Sequence, residues 1–167
     1  MGLDMYAYKL KAEHAPADDS KMFSSVYEAV EFELLDSPEF GKLSEKDQLA
    51  YLEAKDKAMG KAKSEGIFDG SFAYWRKFNA LHAWMEDLWI SRGNDGDFNC
   101  TPLRLNTENL DELQERVDDK SLEPRGGFFF GGTDPVTEDE YSEVADFIVK
   151  ARQAIADGYA VYYDSWW

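Results

Sequence analysis

The chain has 167 residues, 44% of them hydrophobic and 15% aromatic, with 34 acids against 18 Lys plus Arg. This composition excludes a disordered chain, and a net charge of −16 repels bare nucleic acid and membrane phosphates. No apolar run of the roughly 18 residues needed to cross a membrane is present. The N-terminus lacks the basic and apolar regions of a secretory signal, and the single Cys100 cannot form an internal disulfide. Together these predict a single domain in a reducing, cytoplasmic setting.

The acidity is uneven. Residues 1–85 hold 15 acids and 11 bases, whereas residues 86–147 hold 17 acids and 5 bases. Such a region either solubilises the surface or attracts a basic protein.

Taken in chain order, Leu3–Lys9 alternates as a strand, with Leu3, Met5 and Ala7 on one face and Asp4, Tyr6 and Tyr8 on the other. A loop rich in Asp and Ser follows. Ser24 or Ser25 caps a helix to about Leu35, which Ser37-Pro38 stops. Ser44–Asp47 opens a surface helix reaching about Lys63. The strongest helical pattern runs from Asp69 or Ser71 to about Ser91. At about 100° per residue, Tyr74, Phe78, Leu81, Met85 and Leu88 share its apolar face. Trp75, His82 and Trp89 flank that face on one side and Trp84 on the other.

Thr101–Leu105 reads as a short strand, and Asn106 or Thr107 caps a helix carrying Leu110, Leu113 and Val117. Phe128–Phe130, bounded by glycine pairs, reads as a buried strand. Thr137–Glu140 is a capping box for a helix whose stripe runs from Tyr141 to Ile155, with Gly158 beyond its end. A final strand starts at Tyr159. Terminal strands with helices between them predict an α+β fold, a small antiparallel or mixed sheet with helices mainly on one face.

Three constellations could carry chemistry. On the long helix, Arg76, Lys77 and Asn79 supply cationic and amide donors beside Trp75 and Trp84. Such a platform suits a nucleotide or other phosphorylated ligand. A core helix with a snorkelling lysine and a hydrogen-bonded histidine explains the same residues without a ligand. The glycine-flanked Phe128–Phe130, with Thr133 after it, allows close backbone approach, but the Lys-Ser/Thr ending of a P-loop is missing. Asp4, if its face meets the helices, needs a cation such as Arg76, Lys77 or His82. His82 is the one candidate general acid or base near neutral pH in this set, with Asp4 orienting one of the cations. With two histidines and one cysteine, no metal cluster is expected. Asn94–Asp97 resembles only part of a calcium loop, and no cofactor motif is found.

The opening Met1–Tyr6, the segment Tyr74–Lys77 with Asn79, His82 and Trp84, the Gly127–Gly131 run and the Trp-ended C-terminus together resemble a group of small phage and prophage proteins. The resemblance covers about half the chain, in pieces. It implies a phage-related source in a bacterial cytoplasm and carries no mechanism. Two expectations follow. One is a pocket for a phosphorylated small ligand, with Lys77 or Arg76 holding the anion, Trp75 or Trp84 stacking, and Asn79, Phe129 and Thr133 completing the wall. The other is a non-enzymatic acidic inhibitor or DNA mimic, which engages a basic host protein through residues 86–147.

Overall fold

A computed structural model describes residues 2–128 and 130–167. Among these residues four strands form one antiparallel sheet: β1 (Asp4–Lys11), β2 (Phe68–Arg76), β3 (Leu103–Leu105) and β4 (Tyr159–Trp166), in the spatial order β2-β1-β4-β3. Six α-helices accompany it: α1 (Met22–Ala29), α2 (Ser37–Gly41), α3 (Glu45–Ser64), α4 (Asn79–Ser91), α5 (Thr107–Asp118) and α6 (Glu138–Ala156). This is the expected α+β class with an antiparallel sheet.

The alternation of β1 divides the core. Leu3, Met5 and Ala7 are fully buried under α4, α5 and α6, together with Leu81, Met85, Leu113, Val144, Ile148 and Tyr163. This is the larger hydrophobic cluster. On the opposite face, Leu10, Ala160 and Tyr162 meet Met22 and Val26 of α1 and Ala62 of α3 in a smaller cluster at one end of the sheet. Ala160 to Ser165 are therefore all buried. The other end of that face carries Asp4, Tyr6 and Tyr74, and none of them belongs to the cluster under α1 and α3.

The expected caps at Ser44, Asn106 and Thr137 hold, but Ser24 and Ser25 lie inside α1, whose N-cap Lys21 makes no side-chain capping hydrogen bond, and α1 ends at Ala29, short of the expected Leu35. Ser44, Asn106 and Thr137 accept the expected backbone N–H groups, and Asn106 and Thr137 form reciprocal capping boxes. Gly158, with φ of 86°, sits just past α6, where a left-handed residue ends a helix and glycine is unstrained.

Three further expectations are corrected. The helix expected from Asp69 or Ser71 begins only at Asn79, because residues 68–76 form β2 and pair along β1. A register shift between Ala7 and Tyr8, opposite Phe72, hides the strand alternation of β2 from a periodicity reading. Ser37-Pro38 starts a short helix instead of merely ending one. Asp36 caps it, and Pro38 stands in its first turn, where a missing N–H costs nothing. Phe128 and Phe130 are not strand residues. A Gly127–Gly131 bridge closes a tight turn, leaving Phe128 94% exposed and Phe130 half-buried.

The strand assignment reverses the cost of two neighbouring substitutions. Trp75 points into the main core and Tyr74 is half exposed. In urea unfolding, Trp75→Ala is expected to cost about 3–5 kcal/mol and Tyr74→Ala much less. A helical stripe through Tyr74 would give the opposite order.

Candidate functional site

Four of the sequence candidates, Asp4, Arg76, Lys77 and Asn79, lie near the point where β2 hands over to α4. The backbone turns at Lys77, whose φ of 58° places a non-glycine residue in the left-handed region. That conformation costs roughly 1–2 kcal/mol, and the surrounding contacts hold it in place. The Lys77 N–H donates to the Leu3 carbonyl (2.8 Å), and the Lys77 carbonyl accepts from the Asn79 N–H (3.0 Å). The lysine stem crosses the buried Gly2. A Cβ at position 2 would lie 3.0 Å from Lys77 Cε, so glycine permits the crossing.

Asp4 stands beside this junction on the face away from the main core. It accepts a hydrogen bond from the Tyr74 hydroxyl (2.6 Å), and Arg76 Nε lies 4.0 Å away. Of the three partners expected for Asp4, Arg76 is the one the sheet supplies, because the two residues are cross-strand neighbours. Arg76 is 61% exposed, so this pair adds little to stability.

Lys77 also borders a cleft of about 260 Å³. Lys77, Asn79 and Ala80 form one wall. The turn at Phe130–Gly132 and the approach to α6 form the other. The Asn79 side-chain amide ties the two walls by donating to the carbonyls of Phe130 (3.5 Å) and Gly132. Glycines are required in this turn: a Cβ at Gly127 would meet the Phe130 ring at 2.7 Å, and one at Gly126 would meet Thr133 at 2.9 Å. Phe78, at the start of α4, provides no side-chain cap, so the first turn of α4 faces the cleft without a side-chain acceptor. By contrast, the Glu140 carboxylate in the same cleft is occupied by the Thr137 N–H (2.7 Å).

The remaining candidates are dispersed. Trp75 is a core residue, edge-on to Phe147 at 5.1 Å. Trp84 lines a separate cavity of about 280 Å³ with Arg116, Arg125 and Ser121, and Ala80 borders both spaces. Thr133 is exposed beside the glycine turn, and Phe129 lies outside the described residues. Among the described residues no three His, Cys, Asp or Glu side chains converge as a metal site would need.

His82 lies one turn into α4 and is only 2% exposed. Its ring packs between Phe98 (5.5 Å) and Phe130 (5.0 Å), Nδ1 is 2.8 Å from the Tyr163 hydroxyl, and Nε2 has no hydrogen-bond partner among the described residues. Burial, and secondarily the charge of Arg125, push its pKa down to about 4. The imidazole is therefore neutral at pH 7. It can support the Phe130 wall, but it is not a protonated acid there.

Asp164 escaped the sequence reading because it falls on the regular alternation of β4. It pairs across the sheet with Tyr6, whose ring lies 5.3 Å from Tyr74. Burial raises its pKa to about 6, against the opposing effect of the Ser165 and Thr101 backbone amides. One of its carboxylate oxygens and the Tyr162 hydroxyl are buried without hydrogen-bond partners among the described residues. Burial of a carboxylate by residues distant in sequence leaves no mark in the sequence pattern.

His82 and Asp164 make opposite pH demands on the fold. The raised pKa of Asp164 contributes stability below about pH 4 that is lost as pH rises through 6, an effect of about 3 kcal/mol. The lowered pKa of His82 contributes stability above about pH 6.5 that is lost as pH falls toward 4, by a similar amount. The two offset each other between about pH 4 and 6.5. Asp164→Asn is therefore expected to uncover a stability that rises with pH across this window, and His82→Phe one that falls. Urea unfolding at four pH values between His82-charged and His82-neutral conditions measures both slopes, and parallel profiles for the two variants would refute the assignment.

No protein-family model, curated protein or solved structure matches this chain.

Proposed function

We propose that the cleft between the start of α4 and the glycine turn binds a small phosphorylated ligand, and that the protein acts through this binding. The observation that carries the reading is the placement of Lys77. A cation is held in a strained backbone conformation at the mouth of a cleft, beside a helix start with no side-chain cap. A helix start and a lysine are complementary to phosphate oxygens. Exposed Arg76 adds a second positive charge beside the cleft, whose lining also carries Asp134 and Glu140, the latter already hydrogen-bonded to the Thr137 N–H. Phe130 offers an apolar surface to a ring. The volume of about 260 Å³ favours a sugar phosphate or mononucleotide over a dinucleotide. With His82 withdrawn and neutral, capture of the ligand is better supported than hydrolysis. The likeness of Met1–Tyr6 and Tyr74–Lys77 to phage proteins supports a phage accessory role in a bacterial cell.

A second reading rests on a separate observation. Helices α5 and α6 pack side by side, and exposed Glu108, Glu112, Glu115, Glu143 and Asp146 lie on this pair with few bases among them. That surface suits a basic protein partner, whose binding would weaken steeply with salt and would not respond to Lys77.

Thermal unfolding against mononucleotides and sugar phosphates tests the first reading. A ligand at about 100 times its Kd adds roughly 2.7 kcal/mol, or about 5–10 °C for a domain of this size. Lys77→Gly is expected to abolish that rise while stabilising the free protein by about 1 kcal/mol, because glycine relieves the left-handed strain. A ligand effect that survives Lys77→Gly would overturn the site. A flat panel would favour the acidic surface.

A further inference from the structure

A second space lies toward the far end of the sheet from Lys77 and shares no lining residue with the first cleft. Phe72 of β2 and Val149 and Ala154 of α6 wall a groove of about 380 Å³. Phe72 is fixed by stacking on Phe147 at 5.9 Å, and Val149 keeps 66% of its surface in solvent. Apolar walls of this kind offer little to a sugar or a peptide backbone, whose polar groups would be left without partners.

Two lysines, Lys9 and Lys150, line the groove. Lys9 Nζ lies 3.9 Å from Asp69 and 5.0 Å from the centre of the Tyr159 ring. Lys150, exposed on α6, has no ion-pair partner among the described residues. The one acid in the lining, Asp157, already accepts the Gln153 side-chain amide at 2.8 Å. A hydrocarbon wall with an uncommitted ammonium beside it is complementary to a ligand with one anionic head and an alkyl tail.

We propose that this groove binds a free medium-chain alkyl carboxylate. The chain lies along Phe72, Val149 and Ala154, and the carboxylate meets Lys150, with Lys9 as the second cation. The proposal is independent of the phosphorylated ligand, since no residue is common to the two sites.

Isothermal titration calorimetry with sodium octanoate, sodium decanoate and the uncharged decanol tests it. Decanoate is expected to bind saturably, tighter than octanoate by about threefold per methylene, and at least about tenfold tighter than decanol. Lys150→Glu is expected to weaken decanoate about tenfold and leave decanol unchanged. Val149→Asp is expected to abolish binding of both. Both residues are exposed, so the variants retain the fold, which thermal unfolding verifies. Absence of saturable decanoate binding, or binding that neither variant alters, would overturn the site. Equal affinity for decanol and decanoate would overturn the carboxylate assignment.

Discussion

The structure depends on β1 being hydrogen-bonded on both sides. Asp4 to Leu10 pair along β2, with register shifts, and the whole length of β1 pairs with β4. A segment at the start of the chain is thereby locked between segments about 70 and 160 residues later. Because side chains alternate, one strand supplies Leu3, Met5 and Ala7 to the large core and Leu10 to the small one. A one-residue slip would place Asp4 and Tyr6 under α4–α6 and expose the methionine and leucine. The buried face therefore specifies the register.

That register also builds the candidate site. Pairing Asp4 with Arg76 fixes where β2 ends, and the Lys77 N–H to Leu3 carbonyl bond fixes how the chain leaves it. The left-handed turn at Lys77 then aims α4 so that Leu81 and Met85 enter the core, while Asn79 reaches the carbonyls of the glycine turn. The cleft is a by-product of a strand end, a strained turn and a helix start meeting in one place. Lys77 borders it because the strand end is exposed, and Phe78 and Ala80 line it because the helix beyond turns into the core.

Charge is distributed by the same logic. The carboxylates of α5 and α6 face solvent, where ion pairs such as Arg152–Asp111 (2.7 Å) are worth little. The two groups that matter most for pH behaviour, His82 and Asp164, are buried and electrically costly when charged. One prefers to stay neutral by losing a proton and the other by keeping one. The core thus carries two polar side chains whose acid–base demands compensate each other over the mildly acidic range.

Elements whose pattern is local were readable from the sequence. β1 announced itself by strict alternation, α5 and α6 by their apolar spacing and by Asn106 and Thr137, and α6's end by Gly158. These features involve residues within one or two turns of each other. Of the candidate residues legible in the sequence, Lys77 and Asn79 line the proposed cleft and Asp4 and Arg76 pair beside it, whereas Trp75, Trp84, His82 and Thr133 do not line it. Their geometry was not readable, because Tyr74–Asn79 also fits a helical wheel. Only pairing with β1, about 70 residues away, makes 68–76 a strand. The fates of Trp75 and His82, core instead of cleft, and the raised pKa of Asp164 likewise depend on neighbours distant in sequence. Propensity and periodicity act along the chain, whereas burial, register and desolvation are set across it, so tertiary structure alone could decide them.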